Sequence, residues 1–116
     1  MQEALKYQLK AFKLLEELGY EKDIVTSGTA LGAIYEENNE YIQALEYYEK
    51  ALKRALAINY KEGIKEVYHN MSNTYRKSGN YLKALKYNEL YYQEKDSLLN
   101  KEIATQVTEI NTKYQT

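Results

Sequence analysis

The chain has 116 residues, and its 16 Lys and Arg against 17 Asp and Glu give a formal charge of −1. That balance excludes a dedicated nucleic-acid surface, which needs a strong basic excess, and the absence of Cys excludes disulfides and thiolate chemistry. With 44% hydrophobic and 28% charged residues, no Pro, and 14 Tyr against one Phe, the composition fits one globular domain with a modest core, and no apolar run approaches the roughly 20 residues that span a bilayer.

Residues 2–18 open with the word Ala-Leu-Lys-Tyr at 4–7, which returns at 84–87; Ala-Leu-Glu-Tyr stands between them at 44–47. From Tyr41 the apolar positions run Ala44, Leu45, Tyr48, Ala51, Leu52 and Ala55, the steps of three and four that line one helical face. Ile64, Val67, Tyr68, Met71 and Tyr75 repeat those steps, as do Tyr81, Ala84, Leu85, Tyr91 and Tyr92. Gly19, Asn39, Asn59 and Gly79 fall at matching places between these stretches. Gly and Asn accept the left-handed conformation that closes a helix, so four helix ends are expected there.

Aligned on itself at an offset of 40, the chain also matches Ile24 with Ile64, Tyr35 with Tyr75 and Tyr41 with Tyr81. A repeated pair of helices accounts for this, because one pair cannot bury its apolar face alone and stacked pairs can. The predicted fold is an all-α solenoid of stacked antiparallel helix pairs, with about six helices. Small Ala at a fixed place marks where the second helix of each pair crosses the first.

The stretch Leu31-Gly32-…-Tyr35, with Tyr41, Ala44, Tyr48 and Ala51, resembles the tetratricopeptide repeat, and so does Met71-Ser72-…-Tyr75 with Gly79, Tyr81 and Ala84. The chain departs from that pattern at Gly28, Asn88 and Tyr91, lacks the closing Pro, and has a period of 40 rather than about 34, which implies helices nearly a turn longer. The resemblance divides the chain into the second helix of a truncated upstream repeat (1–20), two repeats (21–60 and 61–99), and a capping helix leading to a linker (100–116). The cap follows from a match at offset 39 that pairs Ile64 with Ile103, Met71 with Ile110 and Tyr75 with Tyr114. An upstream partner helix is missing on this reading. Leu5, Leu9, Phe12 and Leu15 then form a sticky patch open to self-association through the N-terminal helix.

The tail, from Lys95-Asp96-Ser97 to Lys113-Tyr114, is similar to the segment closing such arrays in bacterial membrane-anchored sensor histidine kinases and related regulators. That resemblance implies the sensor portion of a two-component protein, in the periplasm if membrane-anchored and otherwise in the cytoplasm. The alternatives are a stand-alone adaptor or co-chaperone, and a purely structural or oligomerisation array.

Nothing in the residues points to catalysis. A lone His without Cys provides neither a nucleophile–base pair nor a zinc cluster, and there is no phosphate-cradling Gly-rich loop. No metal, no cofactor and no enzymatic role for these residues are expected. The repeat resemblance instead implies a peptide or protein ligand held in a concave groove lined by the first helices. Carried over residue by residue, its contact positions are Thr29, Ala33, Glu36 and Glu37, then His69, Asn70, Asn73, Arg76 and Lys77. Thr29 and Thr108 stand at offsets of 40 and 39 from His69, so both are expected to flank it. Asn suits an extended backbone because it donates and accepts, and Arg grips a carboxylate through two N–H groups. The plainer alternative pairs Glu36 and Glu37 with Arg76 and Lys77 between repeats, leaving His69 an exposed helix residue.

Overall fold

The computed structural model describes residues 2–114, so the outermost ends of the first and last predicted segments, Met1, Gln115 and Thr116, lie outside the described residues. The described residues form five α-helices and no strand: α1 (Gln2–Leu18), α2 (Glu21–Glu37), α3 (Tyr41–Ala57), α4 (Lys61–Lys77) and α5 (Tyr81–Tyr114). Gly19, Asn39, Asn59 and Gly79 are the positions with positive φ, at 73°, 62°, 55° and 89°. Each ends a helix as expected, because a left-handed residue turns the next N–H back to the carbonyl five residues earlier. Glu40 donates in this way to Tyr35 at 2.9 Å, Tyr60 to Ala55 at 2.8 Å, and Asn80 to Tyr75 at 2.9 Å. The carbonyls of Glu40, Tyr60 and Asn80 then accept the first bond of the following helix. One residue thus closes one helix and opens the next, which is why the connections are so short.

Consecutive helices pack against one another, and α2 also touches α4. The stack measures 60 × 36 × 23 Å. One core cluster centres on α3, where Ala44, Tyr48, Ala51 and Ala55 meet Ile64, Val67, Met71 and Tyr75 of α4. The Ala positions keep helix axes close. Tyrosine supplies the bulk beside them: Tyr35 stacks on Tyr47 with centroids 5.6 Å apart, and Tyr75 stacks on Tyr87 at 5.5 Å, one repeat later. Most of the Tyr content therefore packs between helices. Burial pushes the phenol pKa of Tyr47, Tyr68, Tyr75 and Tyr87 up.

The two ends differ from expectation. Leu5, Leu9 and Leu15 are not an open patch; they pack with buried Phe12 against Ile24 and Leu31 of α2. The uncovered face of α1 is instead Ala4, Tyr7, Ala11, Leu14 and Leu18, all exposed. The equivalent residues of α3, Tyr47 and Ala51, are ones that pack toward α2, so the open face sits one stripe round the helix from the one expected.

At the other end there is no sixth helix among the described residues. α5 runs unbroken for 34 residues, twice the length of each of the others. Asn100, whose residue type suits the N-cap of a further helix, lies inside α5, and nothing between Ser97 and Ile103 interrupts the helix. Ala84, Tyr87, Leu90 and Tyr91 pack onto α4 and the core, whereas residues 99–113 are exposed throughout. The capping helix is therefore a projecting continuation, and the expected all-α solenoid of about six helices is present with five among the described residues.

Candidate functional site

The polar residues carried by the first helices, α2 and α4, meet at Glu36. Its side chain, 14% exposed, receives Lys77 Nζ on Oε2 at 2.8 Å. Oε1 accepts the Tyr48 hydroxyl at 3.0 Å and lies 2.5 Å from the Thr74 hydroxyl. Thr74 also lies 2.9 Å from the Asn70 carbonyl, and its single proton serves one acceptor at a time. Partial burial alone would raise the Glu36 pKa, but the hydrogen bonds from Lys77, Thr74 and Tyr48, with the Lys77 charge, outweigh it and hold the carboxyl below the usual value. Burial, then the adjacent Glu36 carboxylate, push the Tyr48 phenol far up. Glu36 and Lys77 thus tie α2 to α4, the inter-repeat pairing weighed as the plainer alternative. Glu37 points to solvent.

The remaining groove positions fall on one face of α4. Exposed His69 packs its ring on Tyr91 at 4.8 Å, and Asn73 Nδ2 lies 3.4 Å from His69 Nε2. Arg76 donates to Asn73 Oδ1 at 3.3 Å. The residues form a chain, His69–Asn73–Arg76, with spacings of four and three. Asn70 is half-buried and its carbonyl faces Thr74. Two predicted members stand elsewhere. Thr29 is buried, with its hydroxyl donating to the Val25 carbonyl at 2.8 Å. Thr108 stands on the exposed far half of α5, bonded to the Ala104 carbonyl at 2.9 Å, because the helix expected to carry it beside His69 does not form.

Thr74 and Tyr48 complete the Glu36 cluster, and both lie outside the groove positions that the repeat resemblance implies. Thr74 replaces Ile34 at offset 40; a hydroxyl where the other repeat has an aliphatic side chain is the one available signal.

The same positions one repeat later are rebuilt with opposite sign. Gly32, Glu36 and Tyr48 become Ser72, Arg76 and Asn88. In the first repeat the Tyr48 ring fills the slot over Gly32. In the second, Ser72 bonds the Ala84 carbonyl at 2.8 Å and a notch of about 320 Å³ remains, bordered by Arg76, Asn73, Tyr81, Leu85 and Asn88. A second sign reversal occurs at the helix edge. Arg54 pairs with Glu21 at 2.9 Å in the first repeat, and Lys61 with Glu94 at 3.9 Å in the second.

A stack of helix pairs with this period and these crossings has a counterpart in sequence comparison, where a family profile described as Tetratricopeptide repeat matches residues 23–93. The chain belongs to the tetratricopeptide repeat family. Tetratricopeptide repeats serve protein–protein interaction, and their all-helical fold is typically non-catalytic. A search among curated proteins finds no match. Among the described residues of this tetratricopeptide array no helix is long and apolar enough to cross a membrane.

Proposed function

We propose that the chain is a non-catalytic scaffold whose first-helix face takes an extended, acidic peptide segment, as the sensor portion of a bacterial two-component signalling protein. The carrying observation is the reversal from Glu36 to Arg76. Glu36 has its cation in Lys77, whereas Arg76 is exposed, makes no ion pair among the described residues, and is held toward Asn73 at 3.3 Å. An arriving carboxylate therefore meets an oriented guanidinium. The amides of Asn70 and Asn73 alongside offer donor and acceptor to a peptide backbone.

The sensor assignment is supported by the tail from Lys95 to Tyr114, which is similar to the corresponding segment of membrane-anchored kinases. α5 runs unbroken through that same segment.

The groove is tested by titrating wild type and the Asn73→Ala/Arg76→Ala double variant against arrayed acidic decapeptides. The double variant is expected to lose binding, with the Arg76 share fading as salt rises. Equal affinities would move the site, most plainly toward Tyr91 and Tyr92. For the sensor role, the parent gene should encode a membrane span and a kinase or DNA-binding module; repeats alone would reassign the chain to an adaptor.

A further inference from the structure

One exposed stripe of α5, interrupted by Glu89 and Asp96, carries apolar residues along most of the helix. Tyr81, Leu85, Tyr92, Leu99, Ile103, Val107 and Ile110 recur at steps of three, four and seven, which place them on one stripe, and each is about half exposed or more. On α3 the residues equivalent to Leu85 and Tyr92 are Leu45 and Leu52, and those are half-buried against the core. The stripe therefore has the character of a packed surface but nothing packed on it among the described residues.

Length decides what covers it. At 1.5 Å per residue the stripe is about 45 Å long, and a helix the length of α2, α3 or α4 reaches only about 25 Å. Among the described helices the element of matching length is α5 itself. We propose that two copies of the chain associate through an antiparallel pairing of their α5 helices, centred between residues 97 and 98.

In that register Leu85 meets the second copy's Ile110, and Tyr92 meets its Ile103. The projecting half of each helix covers the α4-backed half of the other, so Leu99, Ile103, Val107 and Ile110 gain a packing partner that no other described residue supplies. Orientation follows from charge. A parallel, in-register pairing sets Glu89 against Glu89 and Asp96 against Asp96 at the seam, and such like-charge contacts are unfavourable. Reversing one helix places Glu89 against Gln106 and Asp96 against Leu99. Complete burial of the seven stripe residues would remove at most roughly 700 Å² per copy, about 1,400 Å² in all, which sets the pairing at the lower end of the size range of specific interfaces.

Sedimentation equilibrium tests the association. At about 100 μM, a concentration that populates a micromolar dimer, the mass should be twice that of the 13.6 kDa chain. Ile103→Glu sits on the projecting half and leaves the core untouched, so it should raise the dissociation constant at least about tenfold while the circular dichroism melt of the repeats is unchanged. Because the chain has no Cys, orientation is read from disulfides. An oxidised mixture of Leu85→Cys and Ile110→Cys proteins should give the mixed dimer, and neither protein alone should cross-link. A monomer at this concentration, or a dimer indifferent to Ile103→Glu, overturns the proposal. Leu85→Cys cross-linking to itself overturns the antiparallel pairing.

Discussion

The Tyr48 ring lies against the backbone of Gly32, and a β-carbon at Gly32 would overlap that ring. The contact joins α2 to α3 and aims the Tyr48 hydroxyl at Glu36. Two opposing effects act on Gly32→Ala. Alanine favours a helix interior by about 1 kcal/mol over glycine, but forcing a buried ring aside costs typically 1–3 kcal/mol. Tyr48 is 1% exposed and has little room to yield, so the overlap wins and the variant should be less stable. Urea denaturation showing Gly32→Ala more stable than wild type would mean the ring moves freely and the slot is loose.

Glu36 makes the array sensitive to acid. Its folded-state pKa lies below the ordinary value of 4.5, so the ionised form is favoured by folding. The stabilisation is complete above the unfolded-state pKa and is lost as pH falls through the folded one. Glu36→Gln should cost about 1–2 kcal/mol at pH 7 by weakening its bonds to Lys77, Thr74 and Tyr48. The gap between wild type and variant should narrow as pH drops from about 5 to about 3. A gap of constant size across that range in urea melts would show that shape, and not charge, holds the cluster.

The repeat was legible because its determinants are local. Gly19, Asn39, Asn59 and Gly79 stop helices by backbone preference alone, and Ala44 with Ala84 marks a crossing that only a small residue permits. The C-terminal misreading has a physical cause too. The match of Ile103 and Ile110 to Ile64 and Met71 concerns apolar period, and period does not say whether a helix has turned back; that takes a left-handed residue, which Asn100 is not. The site was less legible still. Glu36 and Lys77 carry the right chemistry for a ligand, but their partners are each other and Thr74, a pairing set by how two layers stack rather than by any one stretch of sequence.

The four stop residues differ in a measurable way. Asn59 at φ 55° carries a side chain in a conformation that costs about 1–2 kcal/mol for most residues, and Asn tolerates it better than most. Asn59→Gly should therefore be close to neutral, the relief of strain offset by the extra freedom of the unfolded chain. Gly79→Ala should lose roughly 1–2 kcal/mol, because φ there is 89°. No neighbour stands within 4 Å of a β-carbon at that site, so backbone strain alone is measured. An unchanged thermal midpoint for Gly79→Ala would mean the turn relaxes.

Ala4, Ala44 and Ala84 hold one repeat position in three environments, and leucine at each separates packing from propensity. All three lie in helices, where Leu and Ala differ little. Ala44 is fully buried in the core cluster, Ala84 is 8% exposed with its carbonyl bonded by Ser72 of α4, and Ala4 is open. Ala44→Leu should overpack the crossing and cost about 1–3 kcal/mol. Ala84→Leu should cost less, because the outer side of α5 is free to shift. Ala4→Leu should fall within about 0.5 kcal/mol of wild type, as surface substitutions do. Chemical denaturation of the three variants should therefore rank Ala44→Leu lowest and Ala4→Leu beside wild type. Equal losses at residues 4 and 44 would show that a further helix already covers α1, and that its exposed stripe of Ala4, Tyr7, Ala11, Leu14 and Leu18 is occupied in solution.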